Sequence, residues 1–148
     1  PKPGRASGGS APGLTCSVYS GDWDAMPKFA AMTPEDTQTV ASIGLPSKYA
    51  RERVGHRYTG MIRLPADAVY QFALTSDDGS RLFVGDSLVV DHDGLHSSET
   101  KLGVAALGAG WHPITVEWFN KTGGADLSVK VGPVGGELAP VPAESLSH

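Results

Sequence analysis

Cysteine is almost absent: Cys16 is the single one in 148 residues. An intramolecular disulfide is therefore impossible, and so is a zinc site built from several thiolates. Cys16 lies in the strand-like run Leu14-Thr15-Cys16-Ser17-Val18, where a small buried hydrophobe is the expected role and a reactive thiol is not. A basic run is missing too. The formal charge is −4, whereas nucleic-acid binding needs a concentrated positive face. The one basic cluster, Arg51-Glu52-Arg53-Val54-Gly55-His56-Arg57, reads as a solvated strand or loop face rather than an anion site. No stretch approaches the ~18 apolar residues of a membrane span. The opening Pro-Lys-Pro carries no apolar signal region, so any targeting segment is expected outside this chain. Catalytic signatures are lacking as well. There is no Gly-x-Ser-x-Gly elbow, no His-Glu-x-x-His and no phosphate loop. The adjacent pair Asp77-Asp78 does not match the separated carboxylates of glycoside hydrolysis. Glu117, alone on a strand face, reads as an exposed or ion-paired structural residue, and His112 before Pro113 reads as structural. No enzymatic activity is expected.

What is plentiful is glycine, with 19, and proline, with 11. Together with Val, Ile, Thr and aromatic runs they imply many turns and short extended elements. The expected fold is all-β, an antiparallel two-sheet sandwich of jelly-roll type with short helical turns at most. One domain of this length buries roughly 70% of its unfolded surface. Residues 1–13, rich in Pro, Gly, Ser and Ala, read as a flexible linker, residues 14–134 as the domain, and residues 135–148 as a Pro-rich tail.

Strands are expected over Leu14–Tyr19, Val40–Leu45 (closed by Pro46), Tyr58–Leu64, Val69–Leu74, Glu99–Ala106, Trp111–Asn120 and Leu127–Val131. Pro65-Ala66-Asp67 suggests a hairpin joining the third and fourth of these. Thr33-Pro34-Glu35-Asp36 offers a helix start, but the spacing after it supports one turn only. Within the strand WHPITVEWFN, Ile114, Val116 and Trp118 share one face and Thr115, Glu117 and Phe119 the other. Trp23 and Phe29 are expected to anchor the irregular region after the first strand.

The organising stretch is FALTSDDGSRLFVGDSLVVDHDGLH, Phe72–His96. Three apolar strands are separated by the turns Ser76-Asp77-Asp78-Gly79-Ser80 and Gly85-Asp86, a hairpin pattern. Adjacent aspartates at a strand tip repel, which calls for a cation or several donors. Asp-Asp-Gly-Ser is also an ordinary turn, with Asp side chains bonding backbone amides. Asp91-His92-Asp93-Gly94-Leu95-His96 suggests a transition-metal site. With Gly94 breaking the run, a packed loop with aspartate caps is the preferred reading.

Four stretches, YSGDWDAMPKF, YTGMIRLP, YQFALTSDDGSRLFVGDSLVVDHDGLH and LGAGWHPITVEWFNKTGGADLSVKVG, closely resemble the protective-antigen domain, in that family's order. The resemblance implies a β-sandwich found in bacterial toxins, glycosidases, proteases and adhesins. In the sugar-binding adhesins consecutive aspartates, joined by a cis peptide, and an asparagine hold a calcium ion that grips the sugar. Here the motif falls on Asp77, Asp78 and Asn120, the last being the chain's single Asn. Carbonyls of residues 121–126 are expected to complete the set. Trp23, Trp111 and His96 are candidates for sugar contacts beside it. The chain lacks those adhesins' disulfides and long specificity loop, and Gly79 follows the aspartates. The expectation is a non-catalytic, calcium-dependent carbohydrate-binding module, monomeric, in a secreted, periplasmic or surface protein of bacterial origin. Its partners would be a glycan or polysaccharide and the host's neighbouring domains. The alternative is a structural or protein-interaction module that positions a catalytic neighbour without binding sugar.

Overall fold

The computed structural model describes residues 1–45 and 51–148. Strands β1 (Leu14–Ser20), β2 (Asp36–Val40), β3 (Val54–Leu64), β4 (Ala68–Asp77), β5 (Ser80–Val84) and β6 (Ser87–His92) lead to β7 (Glu99–Leu107), β8 (Gly110–Asn120) and β9 (Asp126–Pro133). Two short strands follow, β10 (Ala139–Pro140) and β11 (Leu146–Ser147). Short 3₁₀ turns occupy Phe29–Ala31 and Ala143–Ser145. One antiparallel sheet runs β2-β1-β3-β8-β5-β6, with β11 also on β3, and the other runs β10-β9-β4-β7. The two form a sandwich. No helix among the described residues is long and apolar enough to cross a membrane.

Period-two alternation builds the core. On β8, His112, Ile114, Val116 and Trp118 are buried, while Pro113, Thr115 and Glu117 are half-buried on the outer face. On β4, Tyr70, Phe72, Leu74 and Ser76 are buried in the same way. Cys16, fully buried, is part of this core, and burial pushes its thiol up to about 12. It is the small buried hydrophobe that its strand setting predicts.

Two expected hairpins are absent. β3 and β4 belong to opposite sheets, as do β4 and β5. Each connecting turn therefore crosses the sandwich instead of reversing within a sheet. At the second crossing, the inward-facing Ser76 and Ser80 share a hydrogen bond of 2.5 Å between the two sheets. The β5–β6 hairpin at Gly85-Asp86 forms as expected. The strand expected at Val40–Leu45 ends at Val40, since the pairing with β1 runs from Asp36 to Val40. Its expected terminator, Pro46, lies outside the described residues. The helical turn expected at Thr33-Pro34-Glu35-Asp36 does not form, since β2 begins at Asp36; a 3₁₀ turn precedes it at Phe29–Ala31.

The chain ends also differ from the composition-based reading. Lys2 donates to the Ala106 carbonyl, and Arg5 and Trp111 exchange backbone hydrogen bonds of 2.8 and 2.9 Å. Ala11 and His148 exchange another pair. β10 lies on β9 and β11 on β3. Residues 1–13 and the Pro-rich tail are thus laid on the sandwich. Residues 1–13 are held by backbone donors and acceptors at strand ends, which composition does not register, and the tail also seats Val141 and Leu146 in the core.

Candidate functional site

The ends of β4 and β8 and the start of β7 meet at one end of the sandwich. β4 closes there with Asp77, which pairs with Asp126 of β9. The Asp77–Asp78 peptide is cis. Asp78 is buried, at 7% exposure, and its Oδ2 accepts the Lys121 N–H at 2.9 Å. Backbone bonds from Asp78 N–H to the Phe119 carbonyl and from Phe119 N–H to the Gly79 carbonyl, both 3.1 Å, tie the turn to β8. Gly79 is required here: a Cβ would lie 2.6 Å from the Phe119 ring and 2.8 Å from the Gly94 nitrogen. The Asp77 carbonyl accepts the Trp118 indole N–H at 2.8 Å, which links the turn to the core.

The two carboxylates crowd each other. Burial, and then the Asp78 charge and a hydrogen bond with it, push the Asp77 carboxyl above its ordinary value. A cation beside the pair would relieve that repulsion.

Asn120 is fully buried at the end of β8. Its amide nitrogen donates to the Arg51 carbonyl at 3.0 Å and the Gly123 carbonyl at 3.3 Å. Its Oδ1 has no hydrogen-bond partner among the described residues. A buried acceptor left bare costs about 1–3 kcal/mol unless a ligand or water satisfies it. Two carboxylates and one amide oxygen are hard donors of the kind calcium takes, so the residues fit that ion. Among the carbonyls expected to add to the set, Lys121 O already accepts the Arg53 N–H, and Gly123 O the Asn120 amide.

Sequence reasoning missed one wall of the site. The segment Arg51-Glu52-Arg53, read as a solvated face, brackets the loop after β8. Glu52 accepts the Gly123 N–H at 2.7 Å, and Arg53, at φ 53°, bonds Lys121. No local motif marks this role, because the contacts are to backbone and nearly seventy residues away in sequence.

His96 belongs to the same end. Burial alone would lower its imidazole. The Ser97 and His92 carbonyls, with the charges of Glu99 and Asp78, outweigh burial and raise it. Trp23 packs edge-on against Phe29 at 5.9 Å on the outer face of the larger sheet, over Gly55. Phe29 in turn stacks on Tyr19 at 4.7 Å. Trp23 is the anchor expected of it, and its loop reaches the site through Asp22 and Asp24, which pair with Lys121. Trp111 lies nine residues from Asn120 along β8, roughly 30 Å away, and is excluded from the site. Glu117 pairs with Arg57 at 3.6 Å, and His112 donates to the Gly108 carbonyl at 2.8 Å. Both are structural, as expected. Asp91 and Asp93 pair with Arg81, and Asp93 also accepts the Met26 N–H.

Solved structures share this fold. A PA14 sugar-binding domain from an RTX adhesin superposes with a TM-score of 0.79 at 19% identity, covering 94% of this chain and 99% of that one. The epithelial adhesin 9 A domain from Candida glabrata, solved with Galβ1-3GlcNAc, gives 0.71 at 11% identity over 99% and 95%. A β-glucosidase from Kluyveromyces marxianus in complex with glucose gives 0.59 at 18% identity, over 82% of this chain and 15% of that enzyme. No curated protein sequence matches the chain significantly. The PA14 domain family model matches residues 10–145. With that match spanning the two-sheet sandwich and the turn that joins its sheets at Asp77–Asp78, the chain belongs to the PA14 domain family.

Proposed function

We propose that this domain is a non-catalytic carbohydrate-binding module of a larger exported bacterial protein, gripping sugar hydroxyls at a calcium site formed by Asp77, Asp78 and Asn120. The observation that carries the reading is the bare, buried Oδ1 of Asn120, next in sequence to the Lys121 N–H that Asp78 holds. The adhesin domains of the same fold, one of them solved with a bound disaccharide, favour sugar over other ligands. Bound calcium would supply open positions for two neutral hydroxyl oxygens. Asp77 and Asp78 provide the charge that retains it, and Asn120 a neutral oxygen. His96, half-buried beside the aspartates, presents a polar edge to the sugar. Trp23 supports the Asp22–Asp24 loop from behind.

The test is calorimetric titration of calcium into the chelator-stripped domain. Saturable binding, on the order of 10⁻⁴–10⁻³ M as in other extracellular modules, is expected and should vanish in Asp78→Ala. A glycan array should then give hits that disappear with chelator. Absence of calcium binding overturns the reading, and calcium binding without glycan hits reduces it to a structural ion.

A second reading has its own support. The outer face of the smaller sheet carries Val69, Leu102 and Val104, each about half exposed, on neighbouring register positions of β4 and β7. Such an apolar face suits contact with a neighbouring domain of the host. On that reading the module positions its neighbour and binds no sugar.

A further inference from the structure

The loop between β6 and β7 carries a second group of ligands. His92 ends β6, His96 lies in the loop, and Glu99 begins β7. One nitrogen of each histidine and one carboxylate oxygen of Glu99 all lie within 4.8 Å of one another. The two imidazoles stack with centroids 4.1 Å apart at 25°. We propose that His92, His96 and Glu99 form a site for a borderline transition metal ion, zinc or copper(II), adjoining the aspartate pair but built from different donors.

The donor chemistry separates the two sites. Imidazole nitrogens suit zinc and copper, whereas carboxylates and an amide oxygen suit calcium. His92 is pre-set for ligation: its Nε2 donates to the Glu99 carbonyl at 2.9 Å, so the neutral ring carries its lone pair on Nδ1. A backbone carbonyl on the distal nitrogen is the usual support of a metal-bound histidine. His96 faces two carbonyls, Nδ1 at 2.8 Å from Ser97 O and Nε2 at 2.9 Å from His92 O. The protonated ring donates to both carbonyls, whereas the neutral ring keeps one N–H and sets a lone pair against the other carbonyl, so an ion competes with a proton for this residue. Swinging off that carbonyl frees the lone pair for an ion, and the half-exposed loop lets water take the carbonyl. Glu99 is exposed and can reach the ion without burying a charge. Three protein ligands leave an open position, the arrangement of zinc sites that exchange a fourth ligand.

The experiment is zinc titration by calorimetry in saturating calcium, with residue-resolved NMR of the histidine rings. One equivalent is expected to bind, shifting the His92 and His96 ring signals and leaving His56 and His112 in place. Glu99→Gln, on an exposed side chain, should weaken zinc by at least about tenfold. His96→Ala should abolish the site, with a thermal transition like the parent's showing that it folds. With copper(II), nitrogen hyperfine structure from two imidazoles is expected. The proposal is overturned if zinc does not bind, if the His92 and His96 signals stay unmoved at saturation, or if both Glu99→Gln and His96→Ala bind zinc like the parent.

Discussion

The two ends of the sandwich differ in how their backbone and polar groups are satisfied. At the end where β8 begins, the chain termini close over the strands. Arg5 pairs with Trp111, Gly108 donates to Lys2, and His112 caps the Gly108 carbonyl. A Cβ on Gly8 would lie 2.6 Å from the Trp111 ring, so the N-terminal backbone lies flat on that side chain. At the end where β8 finishes, two carboxylates crowd each other and the Asn120 oxygen is bare. One end is finished by its own chain, and the other leaves polar groups short of partners. Buried polar groups are satisfied almost everywhere in folded proteins; among the described residues Gln38 Nε2 and Asn120 Oδ1 are both without a partner, and the second lies at the end where the carboxylates crowd. A mainly apolar cavity of about 330 Å³ lies at the finished end among Leu64, Tyr70, Pro133 and Val141. Its charged lining residues are Arg63 and Glu137, among apolar and proline side chains.

Acid should break this contrast most strongly, through His56. That residue is fully buried two positions inward from the open end, opposite Trp118. Burial, and then the Arg51 charge, lower its imidazole to about 4 from an ordinary 6.5. The unfolded chain therefore takes up a proton that the folded one refuses. Stability is full above pH ~6.5, falls as pH drops toward ~4, and levels off below that, a loss of about 3 kcal/mol. Urea unfolding between pH 7 and 4 should show the loss, and His56→Gln should flatten it.

A smaller effect is expected from Trp118→Phe. The indole N–H holds the Asp77 carbonyl, so the change leaves that carbonyl unpaired at a cost of ~1–3 kcal/mol. Calcium affinity should weaken too, although Trp118 contributes no ligand to the proposed site. Trp111→Phe at the finished end serves as the counterpart: its calcium affinity should match the parent's. Equal effects from the two changes would mean that the ends are not independent.

Much of this was legible in the sequence, and what was not has identifiable causes. Alternation in WHPITVEWFN marks the buried face of β8 correctly, because side-chain direction is fixed by strand geometry. Alternation does not name the partner strand. Pro65-Ala66-Asp67 and the Ser76–Ser80 turn therefore read as hairpins, whereas both cross between sheets. The aspartate pair and Asn120 stand out through their rarity and spacing in a family pattern. Arg51 and Gly123 do not, since they meet Asn120 through backbone carbonyls, and a carbonyl is the same in every residue. Glu99 was likewise hidden. It joins His92 and His96 only because β7 starts where the loop returns to the sheet.

The smallest expected effect sharpens the comparison most, because its sign changes with calcium. Burial and the Asp78 charge hold the Asp77 carboxyl above its ordinary value. The folded state thus binds that proton more tightly than the unfolded one. Its contribution is favourable at low pH and is lost as pH rises through the raised value. At pH 7 in chelator, Asp77 is a charge that the fold tolerates at a cost, so Asp77→Asn should raise Tm slightly. In saturating calcium the parent should gain stability from binding to the folded state alone. The variant, lacking one of the two charges, should gain less, and the order of Tm values should reverse. Thermal unfolding of the two proteins, each with chelator and with calcium, reads out the crossing. If Asp77→Asn lowers Tm equally in both conditions, the aspartate is a structural turn residue, and the strain at this end of the sandwich has another origin.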